Sequence, residues 1–194
     1  KRQPKAKEGP FGMKRNVAIL GFVIAAVVAV IWWNQSAKET GRETEGAAAS
    51  NSQAAGEVRK VAPVADSLAP SFTLESMDGQ TRYHVGGARD KALILNFWAS
   101  WCGPCDLEAP DLQKIYNKYK DRVDLYAVNA AKYDTVRGAK DFVKEKQISF
   151  PVLMDTENKA GDLYKVFSYP ISFIIDKNGV VRERIEGVQP LDKW

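Results

Sequence analysis

The stretch ALILNFWASWCGPC, residues 92–105, places the two cysteines of the chain with two residues between them, shortly after an apolar and partly aromatic run. Ala92 to Trp98 have the length and composition of a buried central strand. Beyond the second cysteine, Leu107, Leu112, Ile115, Tyr116 and Tyr119 recur at roughly helical spacing, with Lys114, Lys118 and Lys120 on the other side. A helix therefore follows the pair. Pro110 falls inside that helix and should kink it by removing one hydrogen bond.

This strand-to-helix position decides the chemistry of the thiols. A nucleophilic cysteine must be largely thiolate near neutral pH, and the positive end of a helix dipole lowers a thiol pKa from about 8.5 toward roughly 3.5–7.5. Cys102 sits where that field acts. Cys105, one turn later, is near enough to close a disulfide with it and release a bound substrate. Two other readings stand beside this one. Half of a zinc site is one, although structural zinc takes four ligands and the chain adds only His84 to its two thiols. A purely structural disulfide is the other, although so tight a loop removes little chain entropy. The strand before the pair and the helix after it favour reversible dithiol chemistry.

Three segments together resemble the thioredoxin superfamily, and within it the membrane-anchored ResA/TlpA-like branch: LNFWASWCGPC at 95–105, EAP at 108–110 and YPISFIID at 169–176. The resemblance runs from about Pro63 onward. It implies an α/β thioredoxin-like fold with an N-terminal hairpin and a central helix–strand insertion, and it assigns roles to particular residues. Cys102 and Cys105 become the redox pair, with no other cofactor. Pro170 becomes a cis-proline lying against the disulfide, and Trp101, Tyr169 and Pro170 the surface that meets an incoming chain. An X-Pro bond bears cis geometry at low cost, although an ordinary trans proline at a strand start is the alternative. Two threonines often follow that proline in the branch, whereas Ile171 and Ser172 stand here. Glu108 falls three positions after Cys105 and shares its helix face. In the resemblance it exchanges protons with the dithiol or tunes it; the alternative is a solvated first-turn glutamate that favours the helix dipole. Thioredoxin itself keeps a buried aspartate in the central strand where this chain has Asn96, so the proton-handling role shifts to Glu108.

Residues 17–33, VAILGFVIAAVVAVIWW, are seventeen residues without a charge. That is the short end of a bilayer-spanning helix and longer than most signal-peptide cores. Trp32 and Trp33 suit an interfacial belt. The residues after them form a poor cleavage site, so an uncleaved anchor is expected, with a cleaved signal as the alternative. Lys1, Arg2, Lys5, Lys7, Lys14 and Arg15 precede it against Glu8 alone, which places residues 1–16 in the cytoplasm and the rest of the chain outside. Met13 would make a natural start, with residues 1–12 as an upstream extension. Residues 34–62, rich in Ala, Ser, Gly, Gln and Glu, have the composition of a flexible tether, and residues 63–194 suffice for one domain.

The net charge of +4 invites a nucleic-acid reading, but it is unevenly placed. Residues 62–194 hold eighteen basic against nineteen acidic residues, while the excess lies before them. No basic patch for phosphates is evident, so no nucleic-acid partner is expected.

Within the domain, Phe72–Leu74 and Gln80–Val85 flank a turn at Asp78–Gly79 and predict a hairpin carrying His84. Val123–Val128 and Pro151–Met154 predict strands, with an amphipathic helix from Asp134 to about Lys146 between them, capped by Asp134. Lys159–Val166 predicts a short helix, and Asp176–Gly179 a tight turn into a strand at Val180–Ile185. A closing helix is usual in the branch, and Leu191–Trp194 supply its beginning. The sequence thus points to an extracytoplasmic, single-pass membrane protein, a thiol–disulfide oxidoreductase that mainly reduces disulfides. The resemblance implies a CcdA- or DsbD-like membrane donor and apocytochrome c, in cytochrome c maturation, as acceptor. A thiol oxidase or isomerase would use the same residues. A non-enzymatic copper chaperone would add a distal histidine and a different cysteine spacing that are absent from this sequence.

Overall fold

A computed structural model describes residues 59–194. The expected anchor and all but the last few residues of the expected tether lie outside the described residues. Lys60 to Ala62, read above as the end of the tether, already pair with the domain. Leu68 donates to the Lys60 carbonyl at 2.9 Å and Ala62 donates to that of Leu68 at 3.0 Å.

The elements run β1 (Phe72–Glu75), β2 (Arg82–Val85), β3 (Ala92–Trp98), α1 (Gly103–Tyr119), β4 (Val123–Asn129), α2 (Val136–Glu145), β5 (Val152–Met154), α3 (Lys159–Leu163), β6 (Ile171–Ile175) and β7 (Val181–Glu186), ending in a 3₁₀ turn at Leu191–Lys193. β1 and β2 form the expected antiparallel hairpin. The other five strands form one sheet in the order β5-β4-β3-β6-β7, in which β3, β4 and β5 are parallel, β6 runs antiparallel to β3, and β7 runs antiparallel to β6. β3 is the centre. Its period-two alternation sends Leu93, Leu95 and Phe97 to one face and Ile94, Asn96 and Trp98 to the other.

The two faces are covered differently. Leu93, Leu95 and Phe97 join Phe173, Ile175 and the hairpin residues Phe72 and Val85 around Tyr164, a fully buried ring whose hydroxyl donates to the Pro70 carbonyl at 2.8 Å. Phe72 and Phe173 meet that ring edge-on at 5.6 and 4.9 Å. Each such apolar side chain contributes roughly 1.5–3 kcal/mol by leaving water. The other face carries α1 and α2, through Leu112 and Ile115 of the first and Ala139 and Phe142 of the second.

Three local expectations are corrected. Leu107, counted on the inner face of α1, is 71% exposed, because packing Glu108, Leu112 and Ile115 inward turns its neighbour about 100° away. The cap of α2 is Thr135, whose hydroxyl accepts from the Gly138 N–H at 3.0 Å, since the Asp134 carboxylate is engaged elsewhere. The helix from Lys159 stops at Leu163, where Val166 folds back to the Gly161 carbonyl at 2.9 Å and Lys165 adopts left-handed backbone at φ 52°. α1 runs unbroken through Pro110. Gly179, at φ 76° in the turn before β7, packs so closely on Gly87 that any Cβ would collide with the Gly87 carbonyl.

Candidate active site

β3 ends at Trp98 and the chain turns through Ala99–Trp101 before α1 begins, so both cysteines lie at the carboxyl edge of the central strand. Cys102 is the N-cap of α1: its backbone is extended, at φ −86° and ψ 105°, and its Sγ accepts the Cys105 N–H at 3.1 Å. Gly103 and Pro104 occupy the first helical positions, where proline forfeits no intrahelical bond. Cys102 and Cys105 are joined as a disulfide with their Cα atoms 5.2 Å apart. Their residues are 5% and 3% exposed, so attack on the pair requires close docking.

Glu108 lies below the disulfide and is 2% exposed, which rules out the solvated first-turn reading. Its Oε2 accepts from Asn96 Nδ2 at 3.0 Å, and the same Nδ2 donates to Ser172 Oγ at 2.9 Å. Among the described residues, Oε1 has no well-formed hydrogen bond. Burial therefore dominates and pushes the carboxyl up to about 7, opposed by the Asn96 amide and more weakly by the Gln189 main chain, while Asp111 adds to the rise. A carboxyl poised there is suited to take and return a proton near neutral pH. Trp98, Asn96, Cys105, Glu108, Leu112 and Phe142 line one small cavity.

The Tyr169–Pro170 bond is cis. Trp101 is 61% exposed and meets the half-buried Tyr169 ring edge-on at 5.8 Å, while its indole N–H donates to the Tyr133 carbonyl at 3.0 Å. Burial raises the Tyr169 phenol, with smaller effects from Tyr133 and Asp155. The fold thus brings Tyr169 from a distant segment against Trp101 and the cluster that holds Cys102 and Cys105, with Glu108 beside Cys105 in one cavity. His84 is not among them; it sits on the exposed hairpin against Ser71 and Thr73, at 3.4 and 3.1 Å.

Sequence reading missed two groups. Ser172, noted only as a departure, accepts from the asparagine that holds Glu108. Asp134, read as a helix cap, binds the turn that carries Trp101 and Cys102: its Oδ2 accepts from the Ser100 N–H at 2.6 Å and its Oδ1 from the Ser100 hydroxyl at 2.6 Å. Asn129 Nδ2 and the Thr135 N–H add bonds of 2.8 and 2.7 Å. Burial works to raise this carboxyl, but these donors outweigh it and hold it below the usual range. The partners lie 34 residues apart, and no local signal joins them.

The AhpC/TSA family profile matches residues 65–184. The chain is also 38% identical over 122 residues to a thiol-disulfide oxidoreductase ResA of Bacillus cereus, covering 62% of this chain and 69% of that protein. The chain belongs to the AhpC/TSA family, among its ResA-type thiol–disulfide oxidoreductases. The thioredoxin-like protein YneN of Bacillus subtilis is 34% identical over 116 residues, covering 59% of this chain and 67% of that one. Among solved structures, StoA from Bacillus subtilis superimposes with a TM-score of 0.57 at 25% identity, covering 64% of this chain and 92% of that one. A putative thiol:disulfide interchange protein DsbE from Chlorobium tepidum does so with a TM-score of 0.55 at 33% identity, covering 65% and 87%. In this chain the Cys-x-x-Cys pair stands at disulfide distance at a helix start.

Proposed function

We propose that this oxidoreductase works as a disulfide reductase, tethered to the membrane by residues 17–33 with residues 63–194 on the extracytoplasmic side. Residues 1–16 then lie in the cytoplasm, and residues 34–62 give the domain reach. The observation that carries the chemistry is the placement of Cys102 Sγ at the N-terminus of α1 with a buried, high-pKa Glu108 below Cys105. Cys102 attacks as thiolate and forms a mixed disulfide, releasing one substrate sulfur as a thiol. Glu108 accepts the Cys105 proton. The Cys105 thiolate then attacks Cys102 Sγ, forms the Cys102–Cys105 bond and expels the second substrate sulfur. Two electrons pass to the substrate and the dithiol is oxidised, with no cofactor beyond the pair itself.

The Gly103-Pro104 dipeptide supports the reductive direction, since thioredoxin has a potential near −270 mV and the oxidant DsbA one near −120 mV. An oxidising exterior requires electrons delivered through the membrane, which a CcdA- or DsbD-like reductase supplies. The substrate class is a disulfide-bearing protein chain, with the cysteine pair of apocytochrome c as the first candidate, docking on Trp101, Tyr169 and Pro170.

The test is the reduction potential of the full chain in detergent, equilibrated against dithiothreitol and glutathione couples, with Cys102→Ser as control. A value below about −220 mV supports a reductant, whereas one near −120 mV replaces it with an oxidase. Cys105→Ser should then trap substrates on Cys102 as stable mixed disulfides.

A further inference from the structure

The segment Tyr133–Thr135 holds the active-site turn at two successive residues. The Tyr133 carbonyl takes the Trp101 indole N–H, and the Asp134 carboxylate takes both the main-chain N–H and the hydroxyl of Ser100. The segment is itself anchored. Thr135 caps α2, and the buried Asn129 at the end of β4 donates to Asp134. In addition the Ala130 N–H donates to the Trp98 carbonyl at 3.0 Å, immediately before the turn. Four donors on one carboxylate, two from a single serine, are more than a helix start requires. Thr135 already supplies the cap.

We propose that Asp134 is a positioning residue for the dithiol: by gripping Ser100 it fixes the Ala99–Trp101 turn, and so holds Cys102 Sγ on the N-terminus of α1 and Trp101 against Tyr169. The geometry gives this a direction. Cys102 Sγ accepts the Cys105 N–H only while its backbone keeps the extended N-cap conformation, and that backbone continues directly from Ser100 and Trp101. Freeing the turn costs the attacking sulfur its donor and its alignment with the helix field, which disfavours the thiolate. A carboxylate acting only through its charge would do the reverse, because removing a nearby negative charge favours the thiolate. The sign of the change in Cys102 reactivity therefore separates positioning from charge. The titratable groups around the pair are Cys105 and Glu108 on α1, Asp106 paired with Lys146 at 2.5 Å, Tyr133 and Asp134 from the β4–α2 loop, and Tyr169 from the cis-proline turn. Neither substitution below touches any of these except Asp134.

This role for Asp134 rests on Cys102 being the attacking thiol, and the experiment tests both separately. The full chain is reduced in detergent and alkylated with iodoacetamide across a pH series, with each cysteine quantified by peptide mass spectrometry, in the wild type, Asp134→Ala and Ser100→Ala. Ser100→Ala keeps the charge and the fold's larger contacts, so it reports even if Asp134→Ala unfolds. Positioning predicts that the Cys102 midpoint rises in both variants by about half a pH unit, a roughly threefold loss of thiolate below the midpoint. It also predicts that the change of Trp101 fluorescence between oxidised and reduced protein shrinks in both. A midpoint that falls in Asp134→Ala and stays put in Ser100→Ala overturns the inference in favour of charge. Unchanged midpoints with only a lowered melting temperature overturn it in favour of a structural bond. If Cys105 is alkylated before Cys102 in the wild type, it is the assignment of the nucleophile that fails.

Discussion

Two carboxylates flank the disulfide, one below it in α1 and one beside it in the β4–α2 loop, and the protein drives them in opposite directions. Glu108 is the more deeply buried and receives one good hydrogen bond, from Asn96; its carboxyl is raised to about 7. Asp134 is only partly covered, receives four donors and is held below the usual carboxylate range. The difference shows that the count of donors against the loss of water, and not proximity to the thiols, sets which group can carry a proton and which can only hold a shape. Glu108 is left able to titrate where thiols titrate. Asp134 stays charged and binds.

The strongest way to break this contrast is Glu108→Gln. A carboxyl whose native pKa lies above its unfolded value of 4.5 favours folding below that value and loses the advantage as pH rises to about 7. Urea unfolding of the oxidised wild type should therefore show a loss of about 3 kcal/mol across that window which the glutamine variant lacks. Equal pH profiles for the two proteins would mean that Glu108 is hydrated. Asp134→Ala comes next, with a loss of about 2 kcal/mol at neutral pH because the Ser100 donors are left unpaired. Here the sign reverses: the contribution of Asp134 is complete above the usual carboxylate value of 3.8 and fades as pH falls through its lowered native value. A variant whose deficit is unchanged down to pH 2 would contradict this.

Asn96→Ala sharpens the comparison from the other side. It removes the chief influence that lowers Glu108, so the carboxyl titration, followed by its infrared C=O band, should move upward at a stability cost of about 1 kcal/mol. A downward move would show that burial is not the dominant cause. The smallest effect concerns the pair. Glu108→Gln and Asp134→Ala share no hydrogen-bond partner, so their stability changes should add within about 0.5 kcal/mol in a double-mutant cycle. A larger coupling would show that the active-site turn transmits between them.

Much of the scaffold was legible because its signals are local. The apolar, partly aromatic run Ala92–Trp98 located the central strand to the residue, and the turn at Asp78–Gly79 located the hairpin. The cis bond at Tyr169–Pro170 and the identity of the thiol pair were readable through the resemblance. Where the reading failed, a distant neighbour had intervened. Asp134 looked like a cap because an acidic residue before an amphipathic helix is one; it was drawn away by Ser100, and Thr135 took the position. Leu107 looked inward on periodicity alone, yet the inward place went to Glu108, an ionisable group with Asn96 in reach to bond it.

By itself, the sequence determined that two thiols stand at a strand-to-helix junction, because that rests on adjacent residues and on a short continuous apolar run giving way to a period of 3.6. Only the tertiary structure decided what surrounds them. Whether Glu108 is wet or dry depends on Asn96, twelve residues away, and on Ser172 beyond it, seventy-six residues from that asparagine. Whether the turn before Cys102 is held depends on a carboxylate from a different loop. Protonation and positioning are set by the dielectric and the donors within a few ångströms, and chain folding, not chain order, chooses which groups those are.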